Sequence, residues 1–222
     1  NCVINDPPLE AAGSDAGFAT LEATLACDIV TLHVPLTETG NHPTRNLLGA
    51  AELDMIGDDA LLINAARGGV IDELALLAWM QQRDRAVALD CWLNEPRIAA
   101  GLLRRVTIAT PHTAGHTIEA RERAASILAG ALAGCLGGSP AAAADESGSG
   151  IIEPAGAGAD PIAGVRAAVL ACCNPQVPTG QLRATLALDA STRAGAFDQA
   201  FFFHYAEVFE RDCRCYRVAG KV

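Results

Sequence analysis

Aromatic residues make up 5% of the 222-residue chain and charged residues 19%. Lysine is nearly absent: Lys221 is the one lysine beside 15 arginines. A nucleic-acid binder carries a basic face. This chain has a formal net charge of −10 and a pI of about 4.9, which argues against that class. No apolar run reaches the roughly 18–20 residues that span a bilayer, so no membrane partner is expected. The opening NCVIND has no basic stretch followed by an apolar one, so no secretion signal is visible. It has no initiator Met either, which suggests a processed piece or a fragment. No Cys-x-x-Cys spacing occurs among the eight cysteines. Their density is below that of a disulfide scaffold, and reduced thiols in a cytoplasmic protein are expected.

What the chain does have is apolar content. Half of it is hydrophobic, enough to bury a sizeable core. The 44 alanines, with the arginine excess, read as GC-rich coding.

Five short apolar runs predict buried strands: CVIN (2–5), DIVTLHV (28–34), ALLIN (60–64), AVALD (86–90) and VTIAT (106–110). Between them, 18–27, 52–56 and 72–82 have helical spacing, and 117–136 follows the last strand. Asp72 is placed to cap its helix, with Leu74, Leu77 and Met80 on one face. Continuously apolar strands alternating with helices predict a parallel sheet covered on both faces, a doubly wound α/β (Rossmann-like) layer. Composition shifts at GGSPAAAADESGSG, which reads as a flexible linker. The expected organisation is an α/β domain over 1–136, a linker over 137–160 and a small C-terminal unit over 161–222. That last unit holds the cluster FFFHY (201–205), with Phe197, Phe209 and Tyr216 nearby. A unit so short struggles to bury a core alone, and pairing with a second copy is expected.

Ligands of such sheets bind at the carboxyl ends of the strands. Asp6 ends the first strand. A carboxylate there can accept both hydroxyls of an adenosine ribose, although a turn-forming Asp before Pro7-Pro8 explains it equally. Arg67 lies in a Gly-flanked turn, where its guanidinium can grip a carboxylate bidentately. Asp90 ends another strand and Glu95 follows. His112 falls just past the last strand, and a Glu near a His fixes its tautomer and supports it as a general base. His112 and His116 are four apart, but Gly115 intervenes and no third ligand is evident, so no metal is expected.

INAARGGVID, LDCWLNEP and PHTAGHT resemble, in order and spacing, the three signatures of NAD-dependent D-2-hydroxyacid dehydrogenases. Arg67 to Glu95 is 28 residues and Glu95 to His112 is 17. The loop GNHPTRNLL (40–48) and the tail 182–211 are similar to a branch of that family acting on a phosphorylated 2-hydroxy acid. The resemblance implies that Arg67 binds the substrate carboxylate, Glu95 supports the histidine and His112 is the acid/base. It implies that Asp6, Val34, Ala65, Ala66, Arg67, Asp90 and Gly115 line an NAD site. It implies a homodimer joined through the C-terminal unit. His116 stands where that branch has a substrate-touching Tyr. The family's glycine fingerprint should precede Asp6 by about 20 residues and is not within the chain, so only part of a dinucleotide fold, binding NAD weakly, is expected. Two alternatives stay open: another D-2-hydroxyacid dehydrogenase, or a non-catalytic NAD-sensing or dimerising relative.

Overall fold

The computed structural model describes residues 1–115, 118–137, 151–152, 174–199 and 217–218. It comprises two compact units, one of Asn1–His112 with Pro178–Ala200 and one of Thr113–Val177 with Phe201–Val222.

The first unit is built on a four-stranded parallel sheet. Its strands are β1 (Ile29–Leu32), β2 (Leu61–Asn64), β3 (Ala86–Leu89) and β4 (Ile108–Ala109), in spatial order β1-β2-β3-β4. Register runs Leu32 to Asn64 to Leu89 to Ala109, so the strands end in step. The crossovers carry α3 (Ala50–Leu53), α4 (Glu73–Gln82) and α5 (Ala100–Arg105). A sheet that steps one way with one hand of crossover puts these helices on one side, and they pack as α3 on α4 and α4 on α5. The other side has no crossover helix of its own. Burial therefore alternates along each strand instead of being continuous as the apolar runs suggested. Val30, Leu62 and Val87 are buried, while Ile29, on an edge strand, is 60% exposed.

Local sequence fixes the helix starts. Asp6 caps α1 (Pro7–Ala11), with two prolines in the positions that need no N–H. Thr20 caps α2 (Leu21–Leu25). The Asp72 carboxylate accepts from the Leu74 and Ala75 amides at the start of α4, as its position predicted. The buried face of α4 matches the expected one only in part: Met80 is buried and Leu77 packs partly buried on the core, but Leu76 and Trp79 are buried as well and Leu74 is 81% exposed. The helix ELALLAWMQQ is apolar nearly all round, so its own pattern does not choose a face. Packing chooses it, and Leu77 turns toward Gly101 of α5. Helix α5 was not expected, because no side chain caps it; buried Leu102 and Leu103 hold it.

Residues 2–5 do not form the expected buried strand. Ile4 makes a single parallel bridge to Phe18, and Val3 and Ile4 are exposed. One bridge is too short a ladder to bring a covering layer over the side chains.

Within the same unit, Pro178–Ala184 and helical residues 190–199 pack on the sheet. Leu182 and Phe197 join the main core. The Thr179 hydroxyl accepts from the Ala109 amide at 3.0 Å and donates to the Ala109 carbonyl at 3.1 Å. A side chain thus closes the outer edge of β4. Part of the expected C-terminal unit therefore lies on the α/β layer.

The second unit contains α6 (Ile118–Cys135) and a two-stranded parallel pairing of Ile151–Ile152 with Arg217–Val218. Leu128, Leu132 and Leu136, at helical spacing, are exposed. The rest of the 137–160 linker and FFFHY (201–205) lie outside the described residues. No helix among the described residues is long and apolar enough to cross a membrane.

Candidate active site

The carboxyl ends of the four strands open into four loops on one edge of the sheet. The turn after β2 is shaped by Asn64, which is buried. Its amide oxygen accepts from the Ala66 N–H at 3.1 Å, and its amide nitrogen donates to the Arg67 carbonyl at 3.0 Å. This closed side-chain turn holds 65–67 in one conformation. Arg67 projects at the surface, its Nη1 donating to the Ala66 carbonyl. With His33, Val34 and Pro35 of the loop after β1, residues Ala65, Ala66 and Arg67 line a cleft of about 270 Å³.

The loops after β3 and β4 hold the second group. His112 Nδ1 lies 2.7 Å from Glu95 Oε2. The other carboxylate oxygen accepts from the Trp92 amide at 2.6 Å, so Glu95 is held at both ends. Trp92 in turn donates its indole N–H to the Thr110 carbonyl at 3.0 Å. His112 itself adopts φ 55°, a left-handed conformation uncommon outside glycine, and its amide donates to the Asp90 carbonyl at 2.8 Å. With its proton on Nδ1 toward the carboxylate, the neutral ring presents Nε2 as the proton-accepting nitrogen. The pair is partly sheltered, with side-chain exposures of 28% and 24%.

Cys91 joins the two groups. It is buried, and its thiol donates to the Ala66 carbonyl at 3.4 Å. Burial, and then the Asp90 and Glu95 carboxylates, push that thiol up to about 12, with Arg67 opposing them. The guanidinium expected on the substrate side and the carboxylate expected behind the histidine therefore bear on one buried atom. Glu73, at the start of α4, accepts the Leu93 amide at 2.6 Å. Burial raises its carboxyl above the usual range; the Leu93 bond opposes this, and the Glu95 charge adds to it.

Of the residues singled out from the sequence, Glu95 and His112 are brought into contact, and Val34, Ala65, Ala66 and Arg67 share one cleft. Asp6 caps α1 through the Leu9 amide at 3.0 Å, which is its turn-forming role. Asp90 is buried, and its carboxylate accepts from the Thr110 hydroxyl. Gly115 is an exposed turn residue of the second unit. His116 lies outside the described residues. Sequence reasoning missed Trp92, Thr110 and Glu73. Trp92 lay inside the LDCWLNEP motif, where an aromatic beside a carboxylate was the available signal. Glu73 looked like an ordinary acidic residue in a first helical turn.

The D-isomer specific 2-hydroxyacid dehydrogenase, NAD binding domain family matches residues 4–114. The chain is 41% identical over 203 residues to erythronate-4-phosphate dehydrogenase of Marinobacter nauticus, covering 87% of this chain and 52% of that one. It is 44% identical over 161 residues to the enzyme of the same name from Salinibacter ruber, covering 70% and 40%. A crystal structure of D-lactate dehydrogenase with NAD+ from Lactobacillus jensenii aligns at 29% identity and a TM-score of 0.47, over 63% of this chain and 45% of that one. The chain spans about half the length of the curated relatives it matches.

Proposed function

The chain belongs to the D-isomer specific 2-hydroxyacid dehydrogenases, and from that premise we propose that it supplies the NAD-binding and acid/base part of a 4-phospho-D-erythronate dehydrogenase. The observation that carries the reading is the 2.7 Å contact of His112 with Glu95 at the carboxyl edge of the sheet.

The residues present fit the nicotinamide cofactor. Val34, Ala65 and Ala66 offer small side chains around an open cleft. Asp6 commits Oδ1 to its helix cap, and its Oδ2 can accept from a ribose hydroxyl. Asp90 and Gly115 complete the proposed set. Bound NAD supplies the acceptor for the hydride leaving substrate C2. His112 Nε2 takes the proton of the substrate hydroxyl as that hydride departs, leaving a 2-keto acid. The imidazolium so formed faces the Glu95 carboxylate, which stabilises it. Arg67 grips the substrate carboxylate in a bidentate pair and so orients the hydroxyl. His116 is proposed to meet the phosphate.

The same reading makes the protein a cytoplasmic homodimer acting in pyridoxine synthesis. The relatives' names support the substrate, a phosphorylated erythronate. The aromatic C-terminal segment, and exposed Leu128 and Leu132 on α6, support the pairing.

The test is a chimera in which this chain replaces the segment it matches in the Marinobacter enzyme. The folded chimera should form NADH from 4-phospho-D-erythronate, and His112→Ala should cut turnover roughly 10²–10⁴-fold with little change in NAD affinity. A folded chimera with no NADH formation, or a variant with unchanged turnover, overturns the assignment.

A further inference from the structure

At the opposite edge of the sheet, where β3 and β4 begin, lies a cavity of about 650 Å³. Arg83 and Arg85 enter it just before β3, and Arg104 and Arg105 from the end of α5. Asp84 is its one acidic lining residue, and Leu77 and Met80 form an apolar wall. Four of the chain's 16 basic residues thus meet in one concavity of a molecule whose net charge is −10.

Their charge is under-compensated. Arg83 and Arg85 share a single carboxylate, Asp58. Arg105 donates to the Met80 carbonyl, a neutral partner, at 3.0 Å. Arg104 pairs with no acid among the described residues. Arg85 is the buried member, its side chain 6% exposed and its guanidinium 3.9 Å over the Trp79 ring. Its Nε has no hydrogen-bond partner. Burial first, then the like charge of Arg83, lower its pKa, with Asp54 opposing. A buried guanidinium with an unmet donor carries a desolvation cost that an added acceptor would relieve.

From these groups we infer that the cavity binds a polyphosphate-bearing small molecule, of the nucleoside di- or triphosphate class. Guanidinium forks match phosphate oxygens bidentately. The volume is too large for one phosphate group and falls within the roughly 300–1,000 Å³ of small-molecule sites. The Leu77 and Met80 wall suits the organic part. The site lies at the other end of the strands from His112, and the inference does not rest on the proposed reaction.

Titration calorimetry of the 222-residue chain with inorganic tripolyphosphate, ATP and citrate tests it. Tripolyphosphate and ATP should bind saturably, ATP the tighter because it also meets the apolar wall, and citrate at least tenfold more weakly. Arg83 and Arg104 are exposed, so the double variant Arg83→Gln/Arg104→Gln should keep the fold and lose at least tenfold in tripolyphosphate affinity. Arg104→Glu alone should lose as much. Arg67→Gln, at the opposite edge, should change that affinity less than twofold. No saturable binding at millimolar ligand, equal binding of citrate, or loss of affinity through Arg67 in place of Arg83 and Arg104 would each overturn the inference.

Discussion

Gly68 lies against the Trp92 carbonyl, so that a Cβ built on Gly68 overlaps that carbonyl and stands 2.8 Å from the Leu93 amide nitrogen. The obstacle is backbone and cannot rotate away. The turn carrying Arg67 and the loop carrying Glu95 therefore share a spacing that only glycine permits.

Gly68→Ala should push those two loops apart. The expected destabilisation is about 1–3 kcal/mol, the usual range for forced overpacking. Gly101→Ala is the contrast. It lies inside α5, where the new methyl would meet Leu77 at 3.4 Å, an ordinary contact. There the gain in helix propensity should stabilise by up to about 1 kcal/mol. Urea unfolding of both variants reads the difference in sign. Equal behaviour would show that the 92–93 backbone yields freely.

Cys91 should be the inert thiol of the native protein. Its pKa is pushed up to about 12 by burial and by the Asp90 and Glu95 carboxylates, and the thiolate is the reactive form. Cys2 and Cys135 are exposed. At pH 8 a maleimide pulse read by peptide mass spectrometry should label Cys2 and Cys135 and spare Cys91 until denaturant is added. Labelling of Cys91 at a rate similar to Cys2 in the native protein would contradict the buried position between Ala66 and Glu95.

Glu73 has a carboxyl raised above its ordinary value, chiefly by burial. The folded state then holds its proton more tightly than the unfolded chain does. The group's contribution is present at low pH and declines as pH rises from the unfolded carboxylate value through the folded one. Glu73→Gln keeps an acceptor for the Leu93 amide and cannot ionise. The stability of Glu73→Gln relative to the parent should therefore improve between pH 4.5 and pH 7. Denaturant unfolding at the two pH values measures it. A difference that stays flat, or moves the other way, would mean that the Leu93 bond outweighs desolvation.

Local signals and long-range contacts were unequally legible in the sequence. Asp72 before ELALLAWMQQ declared a helix start, because a capping carboxylate acts on amides two and three residues away. The four paired strands announced themselves as apolar runs. Glu95 and His112 were readable as partners because strand ends of a parallel sheet share one edge. The face of α4 was readable only in part, since an all-apolar helix leaves the choice to its neighbours. Residues 2–5 have the composition of a strand, yet a strand is made by its partners. Glu73 to Leu93 and Thr179 to Ala109 join residues 20 and 70 positions apart, and no periodicity encodes such contacts.

Thr179 offers the sharpest test of that last kind of contact. Ala109 is fully buried in β4, an edge strand of the first unit's sheet. Its register partner on β3 is Leu89, and the β3 side is served by the amides of Thr107 and Thr110. The amide and carbonyl of Ala109 point outward, where an edge strand leaves them unpaired. The single Thr179 hydroxyl satisfies both, accepting at 3.0 Å and donating at 3.1 Å, and Thr179 is 1% exposed. Arg183 covers the same edge through the Val106 carbonyl. Thr179→Val keeps the shape and removes the hydroxyl, stranding two buried polar groups at about 1–3 kcal/mol. Thr179→Ser keeps the hydroxyl and removes one methyl, which should cost about 0.8 kcal/mol. The order of stability should be parent, then Ser, then Val, although Val is the closer match in volume. Hydrogen exchange adds a local readout: the Ala109 amide should exchange faster in the Val variant and remain protected in the Ser variant. If Val unfolds at the parent's denaturant midpoint with Ala109 still protected, the hydroxyl does not close the edge, and packing of Leu182 and Phe197 alone holds this segment on the sheet.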